Sequence, residues 1–198
     1  MCTRVMRSEA SGSVLVGRNM DFHQDLQTTL WALPRGIERS AGVAGSPSWR
    51  AKHGSVVAAS FDIMSVDGLN EAGLAGHILW LADAEYGPRD EARPALPLSL
   101  WLQYFLDNFA TVAEAVAWIE ESRVQLLPVA DPTTGEAPTL HLALDDASLC
   151  CRRERPDVLS EAQRPRRGDD LVRERRCDAL LDVHALDGSA VLPDVHHR

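Results

Sequence analysis

The sequence predicts an α+β fold, because a stretch of helical pattern lies between two stretches of strand pattern. Short apolar runs separated by Gly, Ser, Pro and Asp fill the first 81 residues and return after residue 124. Residues 98–119 instead repeat apolar side chains at the spacing of amphipathic helices. Strands on both sides of a helical pair indicate sheets with helices packed against them.

The predicted strands of the first half begin with a hairpin. Residues 2–6 and 14–17 are short apolar runs around the turn sequence at 11–13, so we expect them to pair. Further along the chain, the pattern predicts strands and the segments that connect them: strands at 30–33, 55–61 and 73–81, a loop at 37–49 and a turn at 67–70.

Two helices follow. The first, at 98–108, carries aromatic residues at helical spacing that we expect to lie in the core: Trp101, Tyr104 and Phe105. The second begins with Thr111 and Glu114, a capping box in which each side chain satisfies a free backbone N–H group. Runs at 124–129 and 139–144 then flank a turn sequence and predict a second hairpin.

The chain divides into two parts of different composition. Residues 1–149 carry the whole net charge of −9, and we expect them to form one folded domain. Residues 150–198 are rich in Arg and contain no Phe, Tyr, Trp, Ile or Met. A segment with so few bulky side chains buries too little area to offset its ordering entropy, so we expect a disordered or out-of-frame tail.

Composition also argues against several classes of function. The negative charge opposes binding to nucleic-acid phosphates. No apolar run approaches the roughly 20 residues of a membrane span, and the first residues lack a signal-peptide core, so we expect a cytoplasmic protein. Nucleotide-binding glycine motifs are missing and no cofactor is expected. No metal site is predicted either, because the Cys and His residues of the tail fit no zinc spacing: Cys150, Cys151, Cys177, His184, His196 and His197.

Cys2 is the first candidate catalytic residue. Removal of the initiator Met would leave one residue with both a thiol and an α-amine. An α-amine titrates near pH ~7.7, so it can accept the thiol proton at neutral pH, and a thiolate is a strong nucleophile. Position 2 alone does not distinguish this role from an inert cysteine.

The surroundings of Cys2 are more specific. The runs Gly-Arg-Asn-Met-Asp at 17–21, Leu-Trp-Ala-Leu-Pro-Arg-Gly at 30–36, Lys-His-Gly-Ser-Val-Val at 52–57 and Asp-Gly-Leu-Asn-Glu-Ala-Gly-Leu at 67–74 follow it in order. Together they resemble the choloylglycine hydrolase family, which includes penicillin V acylases and conjugated bile acid hydrolases. The resemblance implies an N-terminal-nucleophile hydrolase with an αββα four-layer sandwich, here incomplete at the C-terminus.

The resemblance also implies an active site in which Cys2 is the nucleophile and Arg18 and Asp21 assist it. Pairing of the first two strands would bring Arg18 near the thiol, where a guanidinium stabilises the thiolate. A carboxylate at Asp21 would orient the α-amine. Cys2 would then attack a linear amide, and water would hydrolyse the resulting thioester. On spacing alone, a surface Arg18–Asp21 ion pair is the alternative.

Three further residues suggest an apolar acyl pocket: Met20, Phe61 and Trp80. Such a pocket is compatible with small-molecule aryl-acetyl, bile-acid or fatty-acyl amides; ordinary core packing is the alternative. Trp80 aligns where many family members carry an Asn, which leaves its role open between pocket and core.

The resemblance ends after residue 148, where family members continue with more strands, a second active-site Asn and a further Arg. Residues 150–198 resemble out-of-frame translation of a GC-rich gene, and we expect a frameshift rather than a divergent tail. Two hypotheses therefore remain: an amide hydrolase that uses Cys2, and a non-catalytic remnant of the family that binds ligands or oligomerises. Unpaired sheet edges would favour aggregation or a homo-oligomer.

Overall fold

The computed structural model describes residues 2–8, 13–82, 84 and 86–147. The predicted tail and the Cys and His residues within it lie outside these ranges, as do residues 11 and 12 of the first predicted turn. The strands are β1 (Thr3–Ser8), β2 (Val14–Asn19), β3 (Thr29–Leu33), β4 (Glu38–Ser40), β5 (Ser48–Arg50), β6 (Ser55–Ser60), β7 (Met64–Asn70), β8 (Ala75–Trp80), β9 (Ala95–Pro97), β10 (Gln125–Leu127) and β11 (Leu140–Asp145). The helices are α1 (Leu98–Asn108) and α2 (Val112–Glu121), so the α+β prediction is confirmed.

A five-stranded antiparallel sheet is the centre of the fold, with strand order β11-β8-β7-β6-β3. Three two-stranded sheets accompany it: the antiparallel hairpins β1–β2 and β4–β5 and the parallel pair β9–β10. Among the described residues, neither of the two helices is long and apolar enough to cross a bilayer.

Helix α1 packs against β7 and β8 and forms the hydrophobic core with them. Its apolar face is almost fully buried, which confirms the core assignment of Trp101 and Phe105; Tyr104 packs against the same core from its edge. The sheet accommodates the helix because two of its residues have no side chain. A Cβ atom at Gly68 would lie 2.6 Å from Leu106 Cδ1, and one at Gly76 would lie 2.4 Å from a Leu102 methyl group.

The end of α1 is joined to the sheet by one buried asparagine. Asn70 donates from Nδ2 to the carbonyl oxygens of Leu106 (2.9 Å) and Phe109 (2.7 Å), which have no partner within the helix. Its Oδ1 accepts from the backbone N–H groups of Ala72 (3.1 Å) and Leu74 (3.0 Å). One side chain therefore holds both the helix end and the β7–β8 turn.

Helix α2 begins as the capping box predicts. The Thr111 hydroxyl accepts from the Glu114 N–H at 3.2 Å, and Glu114 Oε2 accepts from the Ala110 N–H at 2.7 Å. The two predicted helices are thus confirmed; a local capping box specifies the start of α2, whereas α1 begins after Pro97 without a side-chain cap.

The predicted N-terminal hairpin is also confirmed. β1 pairs with β2 so that Arg4 lies opposite Arg18 and Thr3 opposite Asn19. Both strands run further than predicted, to Ser8 and Asn19. Side chains alternate between the two faces of a strand, so Cys2, Arg4 and Arg18 share the inward face.

Three local predictions are wrong, and tertiary contacts explain each. Residues 67–70 end β7 instead of forming a turn, because Gly68 serves the close approach of α1 rather than a chain reversal. The predicted loop at 37–49 contains β4 and the start of β5, held by Arg39 Nε and Trp49 Nε1 on the buried carboxylate of Asp107 at 2.6 and 2.7 Å.

The second predicted hairpin does not form. β10 pairs in parallel with β9, whereas β11 pairs antiparallel with β8 and forms one edge of the main sheet. The apolar pattern correctly indicates two strands, but their partners are chosen by burial: Leu142 and Leu144 of β11 lie in the core beneath α1.

Candidate active site

A cleft of about 750 Å³, counting its open mouth, lies where β7 begins and β8 ends, and Cys2 is part of its wall. Most of the other side chains that line it are apolar: Met20, Phe22, Leu26, Phe61, Ile63, Met64, Val66, Ile78, Trp80, Leu98, Val129, Pro132, Pro138 and Leu140. A thiol on the wall of an apolar cleft can meet a bound acyl group while the mouth stays open to water.

Cys2 reaches this cleft because it begins the first hairpin. The residue is half-buried, has a free thiol, and directly precedes β1. Thr3 fixes the local register, because its N–H donates to Asn19 Oδ1 at 2.7 Å and its backbone pairs opposite Asn19. Arg18 follows as the diagonal cross-strand neighbour of Cys2, a position within reach of a long side chain.

Arg18 is buried rather than on the surface, with a side chain only 6% exposed. Its Nε donates to Asp67 Oδ1 at 2.9 Å, and its Nη2 donates to the carbonyl oxygens of Ile78 and Val66. Its Nη1 is also buried and has no hydrogen-bond partner among the described residues. The guanidinium thus keeps one donor for a further ligand, and the predicted role beside Cys2 remains a prediction.

Asp21 lies in the segment that leaves β2, one residue after Met20, and is exposed. Its predicted role at the α-amine is not decided by this position. No group of three or more His, Cys, Asp or Glu side chains in the described residues could hold a metal ion.

The three predicted pocket residues, Met20, Phe61 and Trp80, line the same cleft as Cys2. Trp80 is 47% exposed, so it does not belong to the core. Its indole N–H donates to Thr139 Oγ1 at 2.9 Å, and its ring meets Phe22 edge-on at 6.0 Å. The indole is therefore fixed as an apolar wall, with its N–H group already satisfied.

Phe61 reaches the cleft from a strained turn between β6 and β7. Phe61 and Asp62 both have left-handed backbones, with φ of 52° and 56°. This conformation is unusual for an aromatic residue. The Asp62 carboxylate accepts from the Thr29 hydroxyl and from Trp31 Nε1 at 2.9 Å, which lowers the pKa of that carboxyl and holds the turn.

Two segments close the far side of the cleft and are joined by side chains. Gln24 Nε2 donates to Asp131 Oδ2 at 3.0 Å, and the Thr133 hydroxyl donates to Gln24 Oε1 at 2.9 Å. Asp131 is also held by its own turn, whose hydrogen bonds lower the pKa of its carboxyl. These two hydrogen bonds therefore link the segment after β2 to the turn before β11.

A charged network that sequence reasoning missed lies beneath the hairpin. His77 Nδ1 lies 2.7 Å from Asp67 Oδ1, the oxygen that Arg18 also contacts, and His77 Nε2 lies 3.5 Å from Asp145 Oδ2. Arg4 of β1 pairs with the same Asp145 oxygen. The available signal was a lone histidine within the apolar run of β8 and an aspartate at the start of the 67–74 motif.

Opposing effects act on the pKa of His77. Burial lowers it, but the contacts with Asp145 and Asp67 outweigh burial and raise the pKa above the ordinary 6.5. For Asp145, burial raises the pKa, but His77 and Arg4 outweigh burial and lower it overall. Both shifts favour the charged forms of the two side chains.

Comparison with known proteins identifies the family. A family model described as linear amide C–N hydrolases, choloylglycine hydrolase family, matches residues 2–154. Penicillin V acylase of Pectobacterium atrosepticum is 40% identical over 143 residues, which are 68% of this chain and 38% of that protein. The chain thus spans less than half the length of this curated relative.

Solved structures agree. Penicillin V acylase from Agrobacterium tumefaciens superposes with a TM-score of 0.66 at 41% identity over 75% of this chain and 44% of that one. A mutant of conjugated bile acid hydrolase from Clostridium perfringens shares the fold, with a TM-score of 0.63 at 23% identity, over 75% and 46%. The N-terminal-nucleophile hydrolase fold class is confirmed, and the chain belongs to the choloylglycine hydrolase family of linear amide C–N hydrolases.

Proposed function

We propose that this chain carries the nucleophile half of an amide hydrolase in which Cys2 cleaves linear amides with an apolar acyl group. The observation that supports this proposal most directly is the position of Cys2 on the wall of an apolar cleft. The buried guanidinium of Arg18 shares the inward face of the hairpin with the thiol, so its positive charge favours the thiolate.

The proposed reaction needs one thiol and one amine. The α-amine of Cys2, freed by removal of Met1, takes the thiol proton, and the sulfur attacks the amide carbonyl carbon. The C–N bond then breaks as the leaving amine accepts that proton, which leaves a thioester. Water attacks the thioester with the α-amine as base, the C–S bond breaks, and the proton returns to sulfur. Asp21 is proposed to orient the α-amine.

The cleft favours an aryl-acetyl, bile-acid or fatty-acyl group over a polar one. Met20, Phe61 and Trp80 present apolar surface beside Cys2, and the Trp80 N–H is already bonded to Thr139. Burying a polar acyl group against such walls would leave its hydrogen bonds unmade. We therefore propose small-molecule acyl amides, including penicillin V, as substrates.

Hydrolysis of an acyl-amide series by wild type, Cys2→Ala and Cys2→Ser tests the proposal. We expect any amide turnover to depend on Cys2 and to rise with the apolar area of the acyl group, and we expect an intact mass that begins at Cys2. Retained Met1 throughout the folded protein would contradict the free-amine mechanism, since an amide nitrogen has no basic lone pair.

The remnant hypothesis is the second candidate, favoured by the share of the relatives that the chain spans: 38% of one and 44% of another. It predicts saturable binding of an apolar acyl acid without amide turnover, and a homo-oligomer by size-exclusion chromatography. Cys2-dependent turnover by this 198-residue chain would exclude it.

A further inference from the structure

Five ionisable side chains form a row beneath the N-terminal hairpin, in the order Arg4, Asp145, His77, Asp67 and Arg18. They come from five strands: β1, β11, β8, β7 and β2. Four of the side chains are 11% exposed or less, and Asp67 is 28% exposed. The row is thus largely shielded from water, so its charges interact more strongly than they would in water.

The two arginines lie opposite each other in the hairpin register, so like charges meet on one face. Each is neutralised by one carboxylate, and His77 stands between the two carboxylates. Imidazole is the side chain whose ordinary pKa lies nearest neutral pH; burial lowers the pKa of His77, but the two carboxylates outweigh burial and raise it.

Each ring nitrogen of His77 faces a carboxylate oxygen, an arrangement that favours a protonated ring. Nδ1 is within hydrogen-bond distance of Asp67, whereas Nε2 is buried, 3.5 Å from an Asp145 oxygen, and without a hydrogen-bond partner. A neutral ring that donates from Nδ1 would turn its Nε2 lone pair toward the Asp145 carboxylate, which is repulsive. A protonated ring presents an N–H group to each carboxylate.

We propose that His77, acting through Asp67, is a positioning residue for Arg18, and that the charge on His77 helps to set the fraction of Cys2 present as thiolate. The inference rests on the proposed role of Cys2 as nucleophile. His77 and Arg18 share one oxygen of Asp67, so the proton on His77 decides how much negative charge Arg18 must balance. Loss of that proton makes the potential at Cys2 more negative and opposes ionisation of the thiol.

A matched chemical pair tests the coupling without any substitution in the network. The full chain carries Ser at three positions, so that alkylation is confined to Cys2: Cys150→Ser, Cys151→Ser and Cys177→Ser. Iodoacetate then places a negative carboxymethyl group on Cys2, and iodoacetamide places a neutral group of nearly the same size. Because coupling is reciprocal, NMR should show His77 titrating about 0.5 pH unit higher in the carboxymethyl form. Equal midpoints would overturn the proposal.

His77→Gln supplies the second measurement, with His53→Gln as its control outside the network. We expect the rate of Cys2 alkylation by iodoacetamide at pH 7 to fall about threefold to tenfold in His77→Gln, with an altered pH profile, and to stay unchanged in His53→Gln. A purely structural role would lower the melting temperature and leave the pH profile in place, which would overturn the proposal. If His77→Gln does not fold, the two alkylated forms decide.

These readouts separate two failures. Alkylation and NMR titration need no turnover, so they remain valid if the chain hydrolyses no amide. Conversely, Cys2-dependent turnover with an uncoupled His77 would retain the proposed function and remove the role of His77.

Discussion

Replacing Asn70 by Ala should destabilise the protein more than any other substitution of an uncharged polar side chain discussed above. Asn70 is 3% exposed and makes four hydrogen bonds, two to carbonyl oxygens at the end of α1 and two to N–H groups of the β7–β8 turn. A buried group left without a partner costs about 1–3 kcal/mol, and partial entry of water reduces the sum over four groups. We therefore expect the free energy of unfolding to fall by about 3–5 kcal/mol.

Urea denaturation followed by tryptophan fluorescence measures this loss, because Trp101 lies in the same core. Asn108→Ala is the matched control: the same substitution near the end of the same helix removes one partly buried hydrogen bond, to the Tyr104 carbonyl oxygen at 2.8 Å. It should cost about 1 kcal/mol or less. If Asn70→Ala and Asn108→Ala differ by less than about 1 kcal/mol, the proposed double anchoring by Asn70 is refuted.

Three further predictions concern the helix cap, the cleft and the charged network. Thr111→Ala should cost about 1 kcal/mol in urea denaturation whereas Thr111→Ser should cost much less, and equal losses would argue against the hydroxyl cap. Phe61→Asn removes an aromatic wall at a left-handed position that Asn tolerates. Under the proposed function, we expect KM for apolar acyl amides to rise while kcat and the melting temperature change little; a lowered kcat at constant KM would contradict this. The pKa of Asp145 is lowered in the folded state, so its stabilisation is present above the ordinary value of 3.8 and is lost as pH falls through the lowered value. Asp145→Asn should therefore be less stable than wild type at pH 6 and lose less stability between pH 6 and 3, and parallel melting curves would show that Asp145 contributes no such linkage.

Local patterns predict the parts of this fold that depend on neighbours in sequence. Thr111 and Glu114 specify the start of α2, and the short runs around the first turn specify the β1–β2 hairpin. Gly68 shows the limit: a glycine after an aspartate suggests a turn, but here it makes room for Leu106 from a helix that begins 30 residues later. Such a contact depends on packing that one segment does not reveal.

The candidate site was predictable to the same extent. Cys2, Arg18 and Met20 were identified from motifs that are continuous in sequence, and Phe61 and Trp80 from their apolar character. The structure places Cys2 and the three pocket residues on one cleft. His77 was missed because its partners come from other strands, Asp67 from β7 and Asp145 from β11. The role of a histidine inside a strand can be inferred only when the sheet order is known, because that order places the two carboxylates on either side of it.

The hairpin that carries Cys2 is a two-stranded sheet of its own, attached to the main sheet by the side chains of Arg4 and Arg18. Its backbone amides therefore belong to a separate ladder, and local opening of that ladder does not require the central strands to separate. Deuterium uptake should accordingly be faster in β1 and β2 than in β7 and β8, and a ligand that fills the cleft should slow it. The hairpin that carries the proposed nucleophile would then be ordered by the molecule that fills the cleft.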